Sequence, residues 1–327
     1  MRLRYFSAQN APLLLSLGVL VAMIGLYIIL FILANHRPPG TFELSTTVAN
    51  TMSIGLAALG QTIVVLTGGI DLSVGGVVDL TNAVAARMMQ DTGVSMAGVS
   101  LLVLALGAGA GLINGLLVAY GRLQPIIVTL ATLAIWQGLA LLVLPSPGGA
   151  IPPTMTNLLA GAAPWLLDLP SGLVVLVLVL LLWGVLRRTR FLVAVYAIGN
   201  DERAARANGT PISRVKIGAY TLGGLFAGAA GLYFAVVNTS GDATAGSPFT
   251  LTSIAAVVLG GVSLFGGRGS AVGALAGAFI LTLLINVLFV AGVNPQLQDF
   301  FQGLFLVLAV VASTLVRRVL QRRRQAA

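Results

Sequence analysis

Cysteine is absent from this 327-residue chain, lysine occurs once, at Lys216, and histidine once, at His36. Without cysteine there are no disulfides and no thiolate chemistry, and Cys-based zinc, haem-thiolate and iron–sulfur sites are excluded with them. His36 stands in His36-Arg37-Pro38-Pro39-Gly40, which reads as a solvated connecting loop with no second residue nearby to complete a metal site or proton relay. The phosphate-cradling pattern G-x-x-x-x-G-K-[ST] is missing, because the single lysine follows Val215. No grouping of nucleophile, base and acid is visible, so no catalytic residue is expected. Charge is the scarcest commodity: 8% of the residues are charged, against about 25% in ordinary soluble domains. So few charges cannot cover a water-facing surface.

What is present is apolar. The chain is 57% hydrophobic, with mean hydropathy +1.00, and lipid is therefore its expected surroundings. A helical span needs roughly 20 apolar residues, and candidate spans lie near 11–34, 46–66, 72–89, 97–119, 124–144, 171–186, 216–237, 249–265, 270–291 and 299–316. These predict an all-α, polytopic transmembrane bundle of about ten spans, forming one domain over residues 1–327. The first stretch, Ala11 to Ala34, is too long for a signal-peptide core and reads as a retained span. The net charge of +9 resides at both termini and between Arg187 and Lys216, a distribution that marks cytoplasmic loops and argues against nucleic acid. With the N-terminus inside, only Arg37 and Arg87 of the 18 basic residues fall outside, together with Glu43, Asp91, Asp168, Asp242 and Asp299. Both termini are therefore expected in the cytoplasm.

The 40 glycines put small residues at helical spacing, as in Gly107–Gly111 and Gly223–Gly228, which suits close helix packing in lipid. Thr67-Gly68-Gly69-Ile70-Asp71-Leu72-Ser73-Val74-Gly75 is more specific. It interrupts an otherwise lipid-compatible region, and free backbone groups there are tolerable only inside protein or facing water. Asp71 and Ser73 either cap the following helix or belong to a break that lines or gates a path. Gly260–Gly267 echoes this motif, a hint of repetition between about 60–90 and 252–282. Asp79, an acid inside a span, and Asn82 on the same face mark either an interior or a functional position. Gln61, Asn114, Thr129, Gln137 and Asn286 are isolated polar residues inside apolar spans. They read either as interhelical hydrogen bonds or as a lining suited to a neutral polyhydroxylated ligand rather than an ion.

The segment of about 196–213 is the other informative stretch. Ala197-Ile198-Gly199-Asn200-Asp201-Glu202 leads into Ala204, Ala205, Asn208 and Gly209. Asn200 as N-cap, acids in the first turn and Asn208-Gly209 as a stop predict a short cytoplasmic helix of about two turns. Its alanine face suits a groove on a partner better than lipid.

In these residues the sequence resembles the permeases of ABC importers for ribose, xylose, arabinose and galactose, from about residue 45 to 316. Gly68–Gly75 is similar to that family's Gly-Gly-Ile-Asp-Leu-Ser-Val-Gly signature, Ala197–Gly209 to its coupling segment, and Ile254–Gly269 to its second glycine motif. The coupling segment departs from the usual Ile-Gly-Gly-Asn-Glu-Glu, reading Ile198-Gly199-Asn200-Asp201-Glu202-Arg203, and Asp79 is not a family feature. The resemblance implies a permease of the bacterial inner membrane that pairs with a second permease subunit, a cytoplasmic ATPase and a periplasmic sugar-binding protein. ATP would be used by the ATPase, with no cofactor on this chain. The alternatives are a related permease for amino acids, nucleosides or a vitamin, and a stand-alone secondary transporter.

Overall fold

The computed structural model describes residues 11–163 and 169–294, with residues 297, 300, 301, 303–305 and 307. Among them the chain is mostly helical: α1 (Ala11–Asn35), α2 (Thr41–Leu66), α3 (Val74–Met88), α4 (Gly93–Ala119), α5 (Pro125–Val143) and α6 (Pro153–Leu159) come first. A two-residue antiparallel pair, β1 (Ala162–Ala163) and β2 (Leu169–Pro170), interrupts the all-α expectation in the connection to α7 (Ser171–Leu186). The chain continues through α8 (Arg190–Asn200), α9 (Glu202–Ala207), α10 (Ile212–Asn238), α11 (Ser247–Leu259) and α12 (Ala271–Val290).

Six of these helices, α1, α2, α4, α5, α10 and α12, are long and apolar enough to cross a membrane. A seventh crossing is possible if α7 and α8, bent by 77°, count as one span. This is a multi-pass membrane protein, and among the described residues six or seven helices pass by length and composition, against the expected ten. The difference has a physical source. The stretches read as spans 72–89 and 249–265 are helices of 15 and 13 residues, because glycine-containing turns delay the start of α3 and end α11 at Gly260. The expected span 299–316 lies almost entirely outside the described residues, as do both charged termini.

Burial sorts the helices into a centre and a rim. From Thr47 to Leu66, α2 is buried at nearly every position and forms the axis of the bundle. By contrast α1 is apolar all round, exposes Leu14, Ile29 and Leu33, and buries Met23, Tyr27 and Phe31 against Ile280, Leu283 and Leu284 of α12. His36 sits exposed in the turn after α1, beside the Arg37–Glu43 ion pair. Helices α4 and α10 cross at backbone contact. A Cβ at Gly111 would run into the carbonyl oxygen of Tyr220, and one at Gly224 into that of Gly107. Van der Waals contact between backbones replaces hydrophobic exclusion as the source of attraction here. Overpacking such a site costs about 1–3 kcal/mol. Gly224→Leu is therefore expected to lower the thermal midpoint of the purified protein. Gly109→Leu, on the open side of α4 where no atom lies within 4 Å, is expected to leave it in place; equal behaviour of the two would contradict the packing.

Candidate functional site

The break between α2 and α3 is where the polar residues of the bundle converge. After Leu66 the chain turns at Gly68, whose φ of +83° places it in the left-handed region that glycine adopts without strain. Gly68 N donates to Val65 O (2.9 Å) and Gly69 N to Val64 O (3.3 Å), which closes the end of α2. Residues 70–72 then run without helical bonds, and Ser73 O accepts the first bond of α3 from Val77 N (2.9 Å). Their groups are satisfied by side chains from four other segments. The Gln61 amide of α2, oriented with Nε2 toward Asp71 O (3.0 Å), also accepts from Asp71 N (3.3 Å). Thr129 Oγ1 on α5 accepts from Leu72 N (3.0 Å), and Thr250 Oγ1 on α11 donates to Leu72 O (3.2 Å). Asn114 Nδ2 on α4 donates to Ser73 Oγ (2.8 Å), and Thr132 Oγ1 donates to Asn114 Oδ1 (2.8 Å).

Asp71 Oδ1 accepts from Ser73 N (2.8 Å) and Ser73 Oγ (2.6 Å). That is an Asx turn leading into α3. Neither side chain bonds an amide within the first turn of α3, so the expected capping takes this more local form. Gln61, Ser73, Asn114 and Thr129 are fully buried and Asp71 is 2% exposed. In this conformation their side chains bond to one another or to the backbone of the break. Thr132, Thr250 and Tyr220, whose hydroxyl lies against Gly69, belong to the same cluster and were missed from sequence. Thr132 had a usable signal, one helical turn beyond Thr129; Thr250 had none, since its partner is 178 residues away. Asn286 lies apart, donating to Thr47 Oγ1 (2.9 Å) across α12 and α2, and Gln137 donates to Ser247 Oγ (3.1 Å).

Towards the far end of α3, the start of α11 leans on it. Gly75 lies against Gly246 O, and Asp79 Oδ1 accepts from Gly246 N (2.5 Å). Asn82 Nδ2 donates to Asp242 O (2.8 Å). The 239–246 loop in turn bonds to 148–151, through Gly148 and Gly241 in both directions (2.9 and 2.8 Å) and Ile151 N to Thr239 O (3.1 Å).

At the near end, the segment that resembles a coupling element joins the break directly. A Cβ on Gly199 would collide with Leu66 O and Gly267 N, atoms already hydrogen-bonded to each other at 3.0 Å. The two glycine-rich interruptions thus meet at Gly199. Asn200 is not the N-cap: it ends α8, and its Nδ2 donates to Tyr196 O (2.8 Å) and Gly267 O (3.2 Å). Asp201 caps the six-residue α9 instead, accepting from Arg203 N (2.9 Å) and Ala204 N (3.0 Å). Its carboxylate reaches both amides because the chain is extended at Asp201. Gly209, with φ of +79°, follows Asn208 at the stop. Ala205 and Ile198 are buried, Ala197 is half-buried, and Ala204 and Asn208 are exposed. Glu202 bonds Lys216 Nζ (2.7 Å) and Arg206 (3.1 Å), and the lysine bond is the main cause holding its carboxyl below the usual range.

Replacing Gln61 by Leu orphans both backbone groups of Asp71, at about 1–3 kcal/mol for each buried group left unpaired. Gln61→Leu is expected to lower the thermal midpoint well below that of Gln137→Leu, whose target Ser247 is exposed. Equal midpoints would show that the break does not depend on this clamp.

A family model described as a branched-chain amino acid transport system permease component matches residues 43–310. The ribose import permease protein of Bacillus subtilis is 39% identical over 79% of this chain and 80% of its own length. That of Escherichia coli K12 is 35% identical over 94% and 95%, and the fructose import permease protein of Rhizobium meliloti 37% identical over 85% and 79%. No solved structure matches. The chain belongs to the branched-chain amino acid transport system permease component family.

Proposed function

We propose that this chain is the membrane-spanning permease subunit of a binding-protein-dependent ABC importer, moving a monosaccharide by ATP-driven alternating access. Similarity to import permeases named for ribose and fructose supports the sugar. The observation that carries the mechanism is the meeting of Leu66, Gly199 and Gly267, which joins the α8–α9 segment to the break without an intervening side chain. A push on α9 is thereby delivered to the backbone that starts α3. Residues 67–73 and the start of α11 form the moving part of the path, with Gln61, Asp71, Ser73, Asn114 and Thr129 exchanging bonds with one another for bonds to sugar hydroxyls. Asn286, tied to Thr47, steadies the neighbouring wall.

The family description names branched-chain amino acids, which makes an amino acid the second reading. Hydroxyl and amide groups dominate around the break, and no Lys or Arg lies in α2, α4, α5 or α11. A zwitterion brings an ammonium and a carboxylate that such a lining pairs poorly, so the sugar is favoured. In this reading α3 and α11 cross as discontinuous helices, and with residues 299–316 the spans number ten. Both termini face the cytoplasm of a bacterium whose inner membrane holds the protein. The partners are a cytoplasmic ATPase that alone uses ATP, a periplasmic sugar-binding protein and a second permease subunit.

Proteoliposomes holding this chain, its genomic-neighbour ATPase and binding protein are expected to accumulate ribose or fructose only with ATP. Accumulation by the chain alone, driven by an ion gradient, would establish a secondary transporter, and leucine uptake would establish the amino-acid reading. Ala204→Trp, on the exposed face of α9, is expected to abolish uptake while the protein still inserts; undiminished uptake would remove α9 as the docking element.

A further inference from the structure

Among the described residues, two buried oxygens on α3 have no hydrogen-bond partner, Asp79 Oδ2 and Asn82 Oδ1. Both side chains are fully buried. They stand three residues apart on one helix face, and each spends its other polar atom on the 239–246 loop, Asp79 on Gly246 N and Asn82 on Asp242 O. Two unpaired acceptors on one helix face in a bundle interior each cost about 1–3 kcal/mol.

An ionised Asp79 would also lack a counter-ion. The helices packed on α3 are α4, α5, α10 and α11, and of these only α10 carries charge, Arg214 and Lys216 in its first turns. Lys216 is paired with Glu202. Arg87 is exposed, eight residues further along α3, or about 12 Å at helical rise. The 144–152 connection has no ionisable side chain, and the 239–246 loop adds only another acid, Asp242. On α10, the titratable Tyr233 is engaged with Leu159 O and Tyr220 lies beside Gly69. A buried carboxylate without a cation is strongly disfavoured.

We infer that Asp79 is protonated in this conformation and that its Oδ2–H donates to Asn82 Oδ1. One proton then satisfies both orphaned acceptors, leaves Oδ1 free to receive Gly246 N, and latches the start of α11 onto α3. The latch is neutral, so it opens without separating the charge of an ionised Asp79 from a counter-ion. Asp79 is a positioning residue in this scheme and touches no cargo.

Infrared difference spectroscopy of the purified protein, wild type minus Asp79→Asn, tests the proton directly. A protonated-carboxyl C=O stretch is expected at neutral pH, moving to higher frequency in Asn82→Leu, where the acceptor is gone. In uptake, Asp79→Asn retains both a donor and an acceptor and is expected to run roughly tenfold above Asp79→Ala, the equivalent of one lost hydrogen bond or slightly more. The swapped pair, Asp79→Asn with Asn82→Asp, is expected to keep the infrared band. Absence of the band at neutral pH, or an Asp79→Asn protein as slow as Asp79→Ala, would overturn the protonated latch and indicate a required negative charge. The latch matters for transport only if the chain is the permease proposed above, but the spectroscopic readout needs no cargo, so it fails or holds independently of the import reading.

Discussion

Everything around residues 70–73 follows from one constraint: an unwound backbone inside an apolar bundle must find hydrogen bonds from side chains. Water is excluded there and lipid offers no partner. Gln61, Thr129 and Thr250 bond the peptide groups directly, while Asn114 and Thr132 hold the side chain of Ser73. These residues come from α2, α4, α5 and α11, so the break fixes how four helices sit around α3. The close glycine crossing of α4 on α10 then sets the spacing that lets Asn114 reach Ser73.

The same constraint accounts for a structure that is firm and yet able to move. Helices joined by many backbone contacts, such as α4 and α10, behave as a unit. The break is held by single hydrogen bonds to hydroxyls and amides, groups that exchange one partner for another at little net cost. A neutral polyhydroxylated cargo offers the same chemistry as the network it would displace. The contact of Gly199 with Leu66 and Gly267 places the α8–α9 segment where a push reaches this weakly held backbone rather than the rigid helices.

Much of this was legible in the sequence, and the parts that were not have definite reasons. Composition and the apolar runs gave the helical membrane class, and Thr67–Gly75 gave the break, because glycine and short polar residues within a lipid-compatible stretch have few other uses. Gln61, Asn114 and Thr129 read as isolated polar residues and Asp71 and Ser73 as parts of the glycine motif, but that the first three bond to the motif was not readable, since their separations from it exceed any local rule. The helix boundaries of α3 and α11 failed because hydropathy continues through residues that the glycines unwind. Asn200 and Asp201 are both good caps by type, and only the backbone extension at Asp201 decides between them. Gly199 read as part of a partner-facing helix; the structure turns it inward, where no side chain fits.

Because the native chain contains no cysteine, an introduced pair reports on motion of the break without background. Gly75 and Thr250 face each other across the α3–α11 contact, where a Cβ at Gly75 would displace Thr250 Oγ1 and press on Gly246 O, so uptake is compared with that of the reduced double-cysteine protein rather than of the native chain. With cysteines at both, the protein reconstituted with its ATPase is expected to stop ATP-dependent uptake when oxidised and to resume it on reduction. Full uptake by the oxidised, fully cross-linked protein would contradict a path that opens by separating α11 from the break.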